Sequence, residues 1–181
     1  MKAYPAYKEI GLDFLDSLPA HWDIRKLKFL SLVNFSNVDK HSFEEEIPVR
    51  LCNYVDVYKN DFIKPDMEFM KATASQSEIE KFVLRKGDVL ITKDSESWED
   101  IAVPAFVTEN MDDVLCGYHL AQIRPSSISG NYLFWVLCSA TLNDQYKVEA
   151  HGITRYGLGK DSIENSVIPV PSTTEQQAIA D

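Results

Sequence analysis

Apolar residues along the chain occur mainly in short runs, many of them rich in β-branched and aromatic side chains. Such runs predict β-strands, and the uninterrupted apolar run at 89–92 predicts a buried one. The predicted strands cover 47–58, 89–92, 101–107, 114–124 with an exposed bend at 117–119, and 167–171. Pro104 favours an edge or a bulge for its strand, because proline cannot donate a ladder hydrogen bond. Turns are expected at 86–88 and 111–113, and 34–46 is predicted to be a polar loop.

Helical spacing of apolar residues is clearest over 131–149, where one face carries Leu133, Phe134 and Leu137. A shorter helix is predicted over 73–82, because Ser75 and Glu78 have the spacing of a capping box. The same pattern recurs from Ser172 to Glu175. A helix that ends a few residues later is unstable alone, so we expect it either to continue in a longer protein or to pack on the body.

Residues 1–23 contain Pro5, Gly11 and Pro19, which predict an irregular arm with one helical turn. Beyond it, single helices are interspersed with many short strands. This order indicates an α+β fold rather than a doubly wound sheet. We therefore expect one mixed domain of short twisted strands with a few helices.

Length and composition exclude several protein classes. A chain of 181 residues suits one domain, and no apolar run approaches the ~18 residues of a membrane span. The start of the chain lacks the apolar segment of a signal peptide, so a cytoplasmic protein with no membrane contact is expected. The odd, sparse set of Cys52, Cys116 and Cys138 predicts buried reduced thiols. Cys116 and His119 are spaced like half of a zinc site, but no second ligand pair accompanies them, so neither metal nor cofactor is expected.

The net charge of −10 argues against a free-standing DNA-binding protein, because phosphate contacts need a basic surface. The acids, however, cluster at 44–46, 94–100 and 112–113, while basic residues gather elsewhere. Local field matters more than the sum of charges, so a basic patch on an acidic protein remains compatible with this sequence.

Three segments carry a family pattern through their order and separation. The first is Leu18-Pro19-Ala20-His21-Trp22 followed by Leu27, and the second is Lys86-Gly87-Asp88-Val89-Leu90-Ile91. The third runs from His151-Gly152-Ile153-Thr154-Arg155 through Leu158 to Ile168-Pro169-Val170-Pro171 and Glu175-Gln176-Gln177. Together they resemble the specificity subunits of type I restriction-modification systems, and the resemblance spans nearly the whole chain.

The resemblance implies a DNA-methylase-specificity-domain-like fold and a division of labour. Residues 1–171 would form a target-recognition domain, with an N-terminal arm at 1–19, and 172–181 would be the truncated start of a spacer helix. The domain would recognise one half of a bipartite site in double-stranded DNA and perform no chemistry. Methyltransferase subunits and motor-nuclease subunits would be its protein partners, and a half-length subunit could self-associate to recognise a palindrome.

Sequence recognition requires hydrogen-bonding side chains on loops that a rigid scaffold holds. Three segments meet this requirement. The residues predicted to bind DNA are Lys93, Ser95, Ser97 and Trp98 in the first segment, Tyr118 and His119 in the second, and Thr154, Arg155 and Tyr156 in the third. Gly152 and Gly157 flank the third segment and permit close approach of the backbone.

Structural alternatives stay open for each segment. The first can be an ordinary solvated hairpin loop with Trp98 folded back on the body, and it carries four acidic residues that weaken the DNA interpretation. His119 can be a structural histidine. A looser basic group, comprising Lys71, Lys81, Arg85 and Lys86, fits a solvated face as well as phosphate contacts.

Two other function classes place different demands on the sequence. An enzyme would need a nucleophile with its base, a phosphate loop or paired metal ligands, and the sequence has no such motif beyond a faint nuclease-like pair of Asp88 and Lys93. An acidic protein-interaction module that mimics DNA is the alternative. It should carry its acids as a stripe over one face, whereas a DNA-recognition domain should show a basic concave face near Lys93, His119 and Arg155.

Overall fold

The strand-forming segments pair into two main sheets in the computed structural model, which describes residues 4–181; the first three residues of the predicted arm lie outside it. The strands are β1 (Tyr7–Leu12), β2 (Leu15–Pro19), β3 (Asp23–Lys26), β4 (Ser31–Phe35), β5 (Ile47–Cys52), β6 (Phe62–Ile63), β7 (Met70–Ala74), β8 (Val83–Leu84), β9 (Val89–Thr92), β10 (Asp94–Ser95), β11 (Pro104–Val107), β12 (Met111–Cys116), β13 (Leu120–Pro125), β14 (Tyr156–Gly157) and β15 (Val167–Val170). The helices are α1 (Tyr54–Lys59), α2 (Gln76–Phe82), α3 (Gly130–Cys138), α4 (Ala140–Glu149), α5 (Lys160–Glu164) and α6 (Thr173–Ala180), with short 3-10 turns at Leu27–Phe29 and Trp98–Asp100.

The larger sheet has five strands in the order β4-β13-β9-β11-β6, and the smaller has four in the order β7-β5-β12-β8. Each is mixed: β11 runs parallel to β6 and β12 runs parallel to β5, while the other neighbours are antiparallel. Three two-stranded sheets, β1-β2, β3-β15 and β10-β14, complete the set. The α+β prediction is confirmed.

The centre of the larger sheet is buried on both faces. On β9, Val89 and Ile91 belong to the core under helices α3, α4 and α5, whereas Leu90 belongs to the core shared with the smaller sheet. This three-layer arrangement explains why β9 is buried at every position instead of alternating between buried and exposed residues. It also makes the two ends of β9 rigid points from which neighbouring loops leave.

One end of β9 is fixed by the predicted Lys86-Gly87-Asp88 turn, which the structure confirms. Gly87 adopts a φ of +93°, a conformation that suits glycine. The carboxylate of Asp88 is almost completely buried and accepts hydrogen bonds from the Arg85 backbone amide, from Gln122 and, through both oxygens, from Arg124. We call these four residues the Asp88 cluster.

The first and third family segments form one structural unit at the two ends of the chain. Strand β15 pairs antiparallel with β3, and α6 follows directly. Glu175 completes the predicted capping box with Ser172 and also receives hydrogen bonds from His21 (2.7 Å) and Trp22 (3.3 Å). Gln176 is buried and accepts a hydrogen bond from the backbone amide of Ser129. These contacts fix where α6 begins.

Several sequence predictions are wrong for identifiable reasons. The arm contains the β1-β2 hairpin rather than a helical turn. Residues 54–59 form α1 despite their strand-like composition, because Asp56 accepts a hydrogen bond from the Asn53 amide in a capping box. The predicted helix over 131–149 is broken at Ser139, whose extended backbone (ψ 120°) separates α3 from α4.

Smaller corrections concern three single residues. Pro104 does not mark an edge strand, since β11 lies between β9 and β6 and the proline is its first residue. Met111 begins β12 instead of a turn. Cys138 is exposed, whereas Cys52 and Cys116 are buried as predicted. Within residues 4–181, none of the helices combines the length and apolarity needed to cross a bilayer.

Candidate nucleic-acid interface

The three segments predicted to bind DNA converge at the end of β9 opposite the Asp88 cluster. Strand β10, in the first segment, pairs antiparallel with β14, in the third, so that Ser95 faces Tyr156 across the pair. The Lys93 amide donates a hydrogen bond to the His119 carbonyl oxygen (3.1 Å), which joins the second segment to the first. Backbone hydrogen bonds therefore hold all three segments together.

A single carboxylate lies where the segments meet. Asp94 Oδ2 is 3.0 Å from Lys93 Nζ, and Asp94 Oδ1 is 2.5 Å from His119 Nδ1 and 3.3 Å from Arg155 Nε. We call these four residues the Asp94 cluster. One acid against two permanent cations leaves the cluster with a net positive charge of +1 when His119 is neutral.

Exposure differs sharply within the Asp94 cluster. The side chains of Lys93, Asp94 and His119 are 16%, 18% and 20% exposed, while that of Arg155 is 50% exposed. Lys93 also lies over the ring of Phe35, with Nζ 5.5 Å from the ring centroid. Arg155, bound only through Nε in this ion pair, is thus the cation best placed to meet a ligand from solvent.

Exposed aromatic and polar side chains surround the Asp94 cluster. Trp98 and Tyr118 are both substantially exposed, and the Tyr118 ring packs on His119 with centroids 3.7 Å apart. Thr154 is exposed, and Tyr156 is partly buried at the start of β14. The structural alternative in which Trp98 folds back onto the body is therefore not what the structure shows.

Two serines of the first segment hold its shape. Ser95 is buried, its hydroxyl lies 3.1 Å from the hydroxyl of Tyr54, and it accepts a hydrogen bond from the Ser97 amide. Ser97 in turn accepts from the Glu99 amide at the start of the 3-10 turn. Ser95 and Ser97 thus both support the loop in the unbound protein. Their contact with DNA stays a prediction.

The third segment is a tight loop closed by mutual backbone hydrogen bonds between His151 and Gly157 (3.1 and 2.9 Å). Gly152 has a φ of +155°, and a Cβ atom there would lie 1.8 Å from the carbonyl oxygen of Arg155. The loop therefore requires glycine at this position. It carries Thr154 and Arg155 on the surface beside a fully exposed Ile153.

A cleft beside the Asp94 cluster was missed in the sequence. It has a volume of about 470 Å³, and its lining residues are Ser36, Asn37, Asp39, Lys40, His41, Lys93 and Tyr118. The segment that forms one wall was interpreted only as a polar loop. Buried Val38 and the hydrogen bond from Ser36 to the Cys116 carbonyl oxygen fix it against the smaller sheet. An apolar residue inside a polar stretch was the available signal.

The acids of the first segment are partly engaged within the protein. Asp94 binds the three cationic or imidazole side chains, and Asp100 accepts a hydrogen bond from Tyr58 (3.2 Å). Glu96 and Glu99 are exposed. Of the four carboxylates in this loop, only that of Asp94 is therefore paired with cationic side chains among residues 4–181, and the loop keeps most of its negative charge.

Two members of the looser basic group, Arg85 and Lys86, lie away from this site. Arg85 and Lys86 line a depression with Arg124 at the Asp88 end of β9. Asp88 precedes β9 and Lys93 follows it, so the two residues lie at opposite ends of the strand, roughly 16 Å apart at the usual rise per residue. The faint nuclease-like pairing of these two residues is therefore wrong. Across the described residues 4–181, no group of three or more His, Cys, Asp or Glu side chains is arranged to hold a metal ion.

Comparison with known proteins identifies a sequence family and solved structures with a similar fold. The sequence profile of the type I restriction modification DNA specificity domain matches residues 41–181. No curated protein sequence matches the chain.

Solved structures share the fold at low sequence identity. A chain from a structure that describes complex assembly and conformational transition of the type I R-M system has a TM-score of 0.64 at 18% identity, covering 96% of this chain and 39% of that one. The HsdS subunit from Thermoanaerobacter tengcongensis has a TM-score of 0.59 at 19% identity, covering 96% and 38%. The type I S subunit from M. genitalium has a TM-score of 0.53 at 15% identity, covering 88% and 37%. This chain thus spans less than two fifths of the length of these proteins.

Proposed function

This chain belongs to the family of type I restriction modification DNA specificity domains, and from that premise we propose that it recognises one half of a bipartite site in double-stranded DNA. The observation that supports the proposal is the convergence of three separate segments on the Asp94 cluster. Their exposed side chains lie beside a cleft, a concave surface whose lining includes Lys40, His41 and Lys93 together with one acid, Asp39.

The side chains present suit recognition of both bases and phosphates. Arginine binds the O6 and N7 atoms of guanine in the major groove and also binds phosphate, so Arg155 can serve either purpose. Thr154 and His119 can donate to or accept from a base edge. Trp98 and Tyr118 add exposed aromatic surface, and Lys93 with Lys40 adds positive charge for the backbone.

The proposal extends to partners and domain limits. We place the recognition domain at 1–171 and the beginning of a spacer helix at 172–181, because Glu175 and Gln176 anchor the start of α6 to the body. Methyltransferase subunits would bind the spacer and modify the DNA, motor-nuclease subunits would join them, and a half-length subunit could self-associate. The domain would itself perform no catalysis, and the complex would act in the cytoplasm, on DNA.

The acidic DNA-mimic alternative is not favoured. It predicts a stripe of unpaired acids over one face. Instead, Asp113 forms a two-point ion pair with Arg50 (2.8 and 2.9 Å), and Asp88 and Asp94 lie in clusters with basic residues. These three acids are therefore paired with basic side chains within the protein.

Domain exchange tests the proposed function directly. A specificity subunit carrying this chain is expressed with its methyltransferase subunit, and methylated adenines are mapped across the genome. Residues 20–171 are then replaced by those of another specificity domain. We expect one half of the methylated site to change while the other half stays. Methylation that persists at an unaltered site after the exchange would refute recognition by this domain.

A further inference from the structure

The Asp94 carboxylate joins side chains from all three DNA-binding segments, and its role differs from theirs. Oδ1 is engaged by His119 and Arg155, and Oδ2 by Lys93, so both oxygens already have partners within the protein. These contacts occupy three of the roughly four acceptor sites of a carboxylate, and the Asp94 side chain is only 18% exposed, so little of it is open to a base edge. The geometry favours an internal role over direct contact with DNA.

Building on the proposed function, we propose that Asp94 is a positioning residue that sets the sequence specificity of this domain by holding Arg155 and His119 in the orientation in which they meet base edges. The backbone beneath it is fixed by the β10-β14 pair and by the hydrogen bond from Leu158 to the Lys93 carbonyl oxygen (2.8 Å). Asp94 therefore presents its carboxylate from a rigid point. Arginine held in this way loses less side-chain freedom when it binds.

Neutralising the Asp94 carboxylate should have two different effects, one on the general affinity for DNA and one on sequence preference. A negative charge near DNA repels phosphate, so its removal alone strengthens binding to any sequence. If Asp94 also orients Arg155 and His119, the same removal weakens discrimination between sequences. The two effects are separable because binding to all DNA and preference for one sequence are different measurements.

The chain offers a matched control in the same loop. Glu99 is exposed, and its neutralisation changes the net charge by the same amount as that of Asp94. We compare Asp94→Asn with Glu99→Gln by incubating the purified chain, at low salt, with DNA duplexes that contain a randomised central block. Sequencing of the bound fraction gives the enrichment of the preferred motif, and titration of the unselected pool gives the general affinity.

The wild-type chain and Glu99→Gln are expected to enrich the same motif. Asp94→Asn is expected to bind the pool at least as tightly as wild type, with motif enrichment reduced about tenfold, the scale of one specific base contact. Thermal unfolding shows whether each variant is folded. Should Asp94→Asn fail to fold, Asp94→Glu replaces it, because it keeps the charge but displaces the carboxylate by one methylene group.

The outcomes separate this inference from the function on which it rests. If Asp94→Asn, or Asp94→Glu in its place, enriches the motif as strongly as wild type, the positioning role is overturned. DNA recognition by the domain is then left intact. Failure of the wild-type chain to enrich any motif, both alone and within a specificity subunit assembled with its methyltransferase subunit, would instead overturn the proposed function, and the positioning role with it.

Discussion

Replacement of Asp88 by alanine should destabilise the domain without altering its DNA preference. The side chain is 1% exposed, and its oxygens lie 2.8–2.9 Å from donors on Arg85, Gln122 and Arg124. Removal of one partner from a buried ion pair costs about 3–5 kcal/mol, because the other charge is left buried. Since Arg124 is 21% exposed and can turn toward water, the lower end of about 3 kcal/mol applies.

The expected change in melting temperature follows from the size of the domain. For domains of about 150–250 residues, each kcal/mol shifts Tm by about 2–4 °C, so Asp88→Ala should lower Tm by about 6–12 °C. The assay is thermal unfolding followed by circular dichroism. Asp112→Ala is the matched control, since that aspartate is exposed on β12, and its loss should shift Tm by less than about 2 °C.

Two results would refute this reasoning. A Tm within about 2 °C of wild type would mean that the Asp88 cluster contributes little to stability. A loss of motif enrichment by Asp88→Ala at an unchanged Tm would place Asp88 in the DNA-binding surface, contrary to its position at the far end of β9.

Three further variants test separate parts of the structure. Gly152→Ala should abolish motif enrichment, because a Cβ 1.8 Å from the Arg155 carbonyl oxygen forces the third segment to rearrange; enrichment equal to wild type would contradict the placement of Arg155 in the site. Hydrogen bonds from His21 and Ser172 lower the pKa of Glu175 to about 2, so its stabilisation is fully present above its ordinary pKa near 4.5 and is lost as the pH falls toward 2. Glu175→Gln should therefore lower Tm at pH 7 but not near pH 2, and a Tm difference that does not depend on pH would argue against this ion pair. Lys40→Ala should reduce the slope of log affinity against log salt by about 0.9 while leaving the motif unchanged, as expected for one phosphate contact, whereas Lys86→Ala, at the other end of β9, should leave the slope unaltered.

Sequence patterns were most informative where one local interaction decides the structure. The capping boxes at Ser75 and Ser172 and the buried run at 89–92 are all found as predicted. Composition was misleading where local and compositional preferences disagree. At 54–59, β-branched and aromatic residues suggested a strand, but the Asn53–Asp56 capping box and the stacking of Tyr54 on Tyr58 (5.5 Å) accompany a helix.

The convergence of the candidate site could not be predicted, because it depends on tertiary contacts that local sequence patterns do not indicate. Its three segments were selected one by one as loops with polar or aromatic side chains, and nothing in their spacing indicates that they meet. The cleft wall at 36–41 was missed for the same reason. In the sequence, Asp94 is one of four loop acids that carry unfavourable charge or could accept a hydrogen bond from cytosine, because nothing there reveals that Lys93, His119 and Arg155 surround it.

The pairing of Asp94 with basic side chains affects the general affinity for DNA and the sequence preference of the domain in different ways. Because Asp94 offsets part of the positive charge around it, the isolated chain should attract DNA only weakly, and that attraction should fall further with salt. Most phosphate binding would then come from partner subunits, while Arg155, His119 and their neighbours select the sequence. In such an arrangement, neutralising an exposed acid such as Glu96 or Glu99 should strengthen binding to every sequence equally. Only changes to the Asp94 cluster, or to the neighbouring side chains predicted to contact bases, should alter which sequence is preferred.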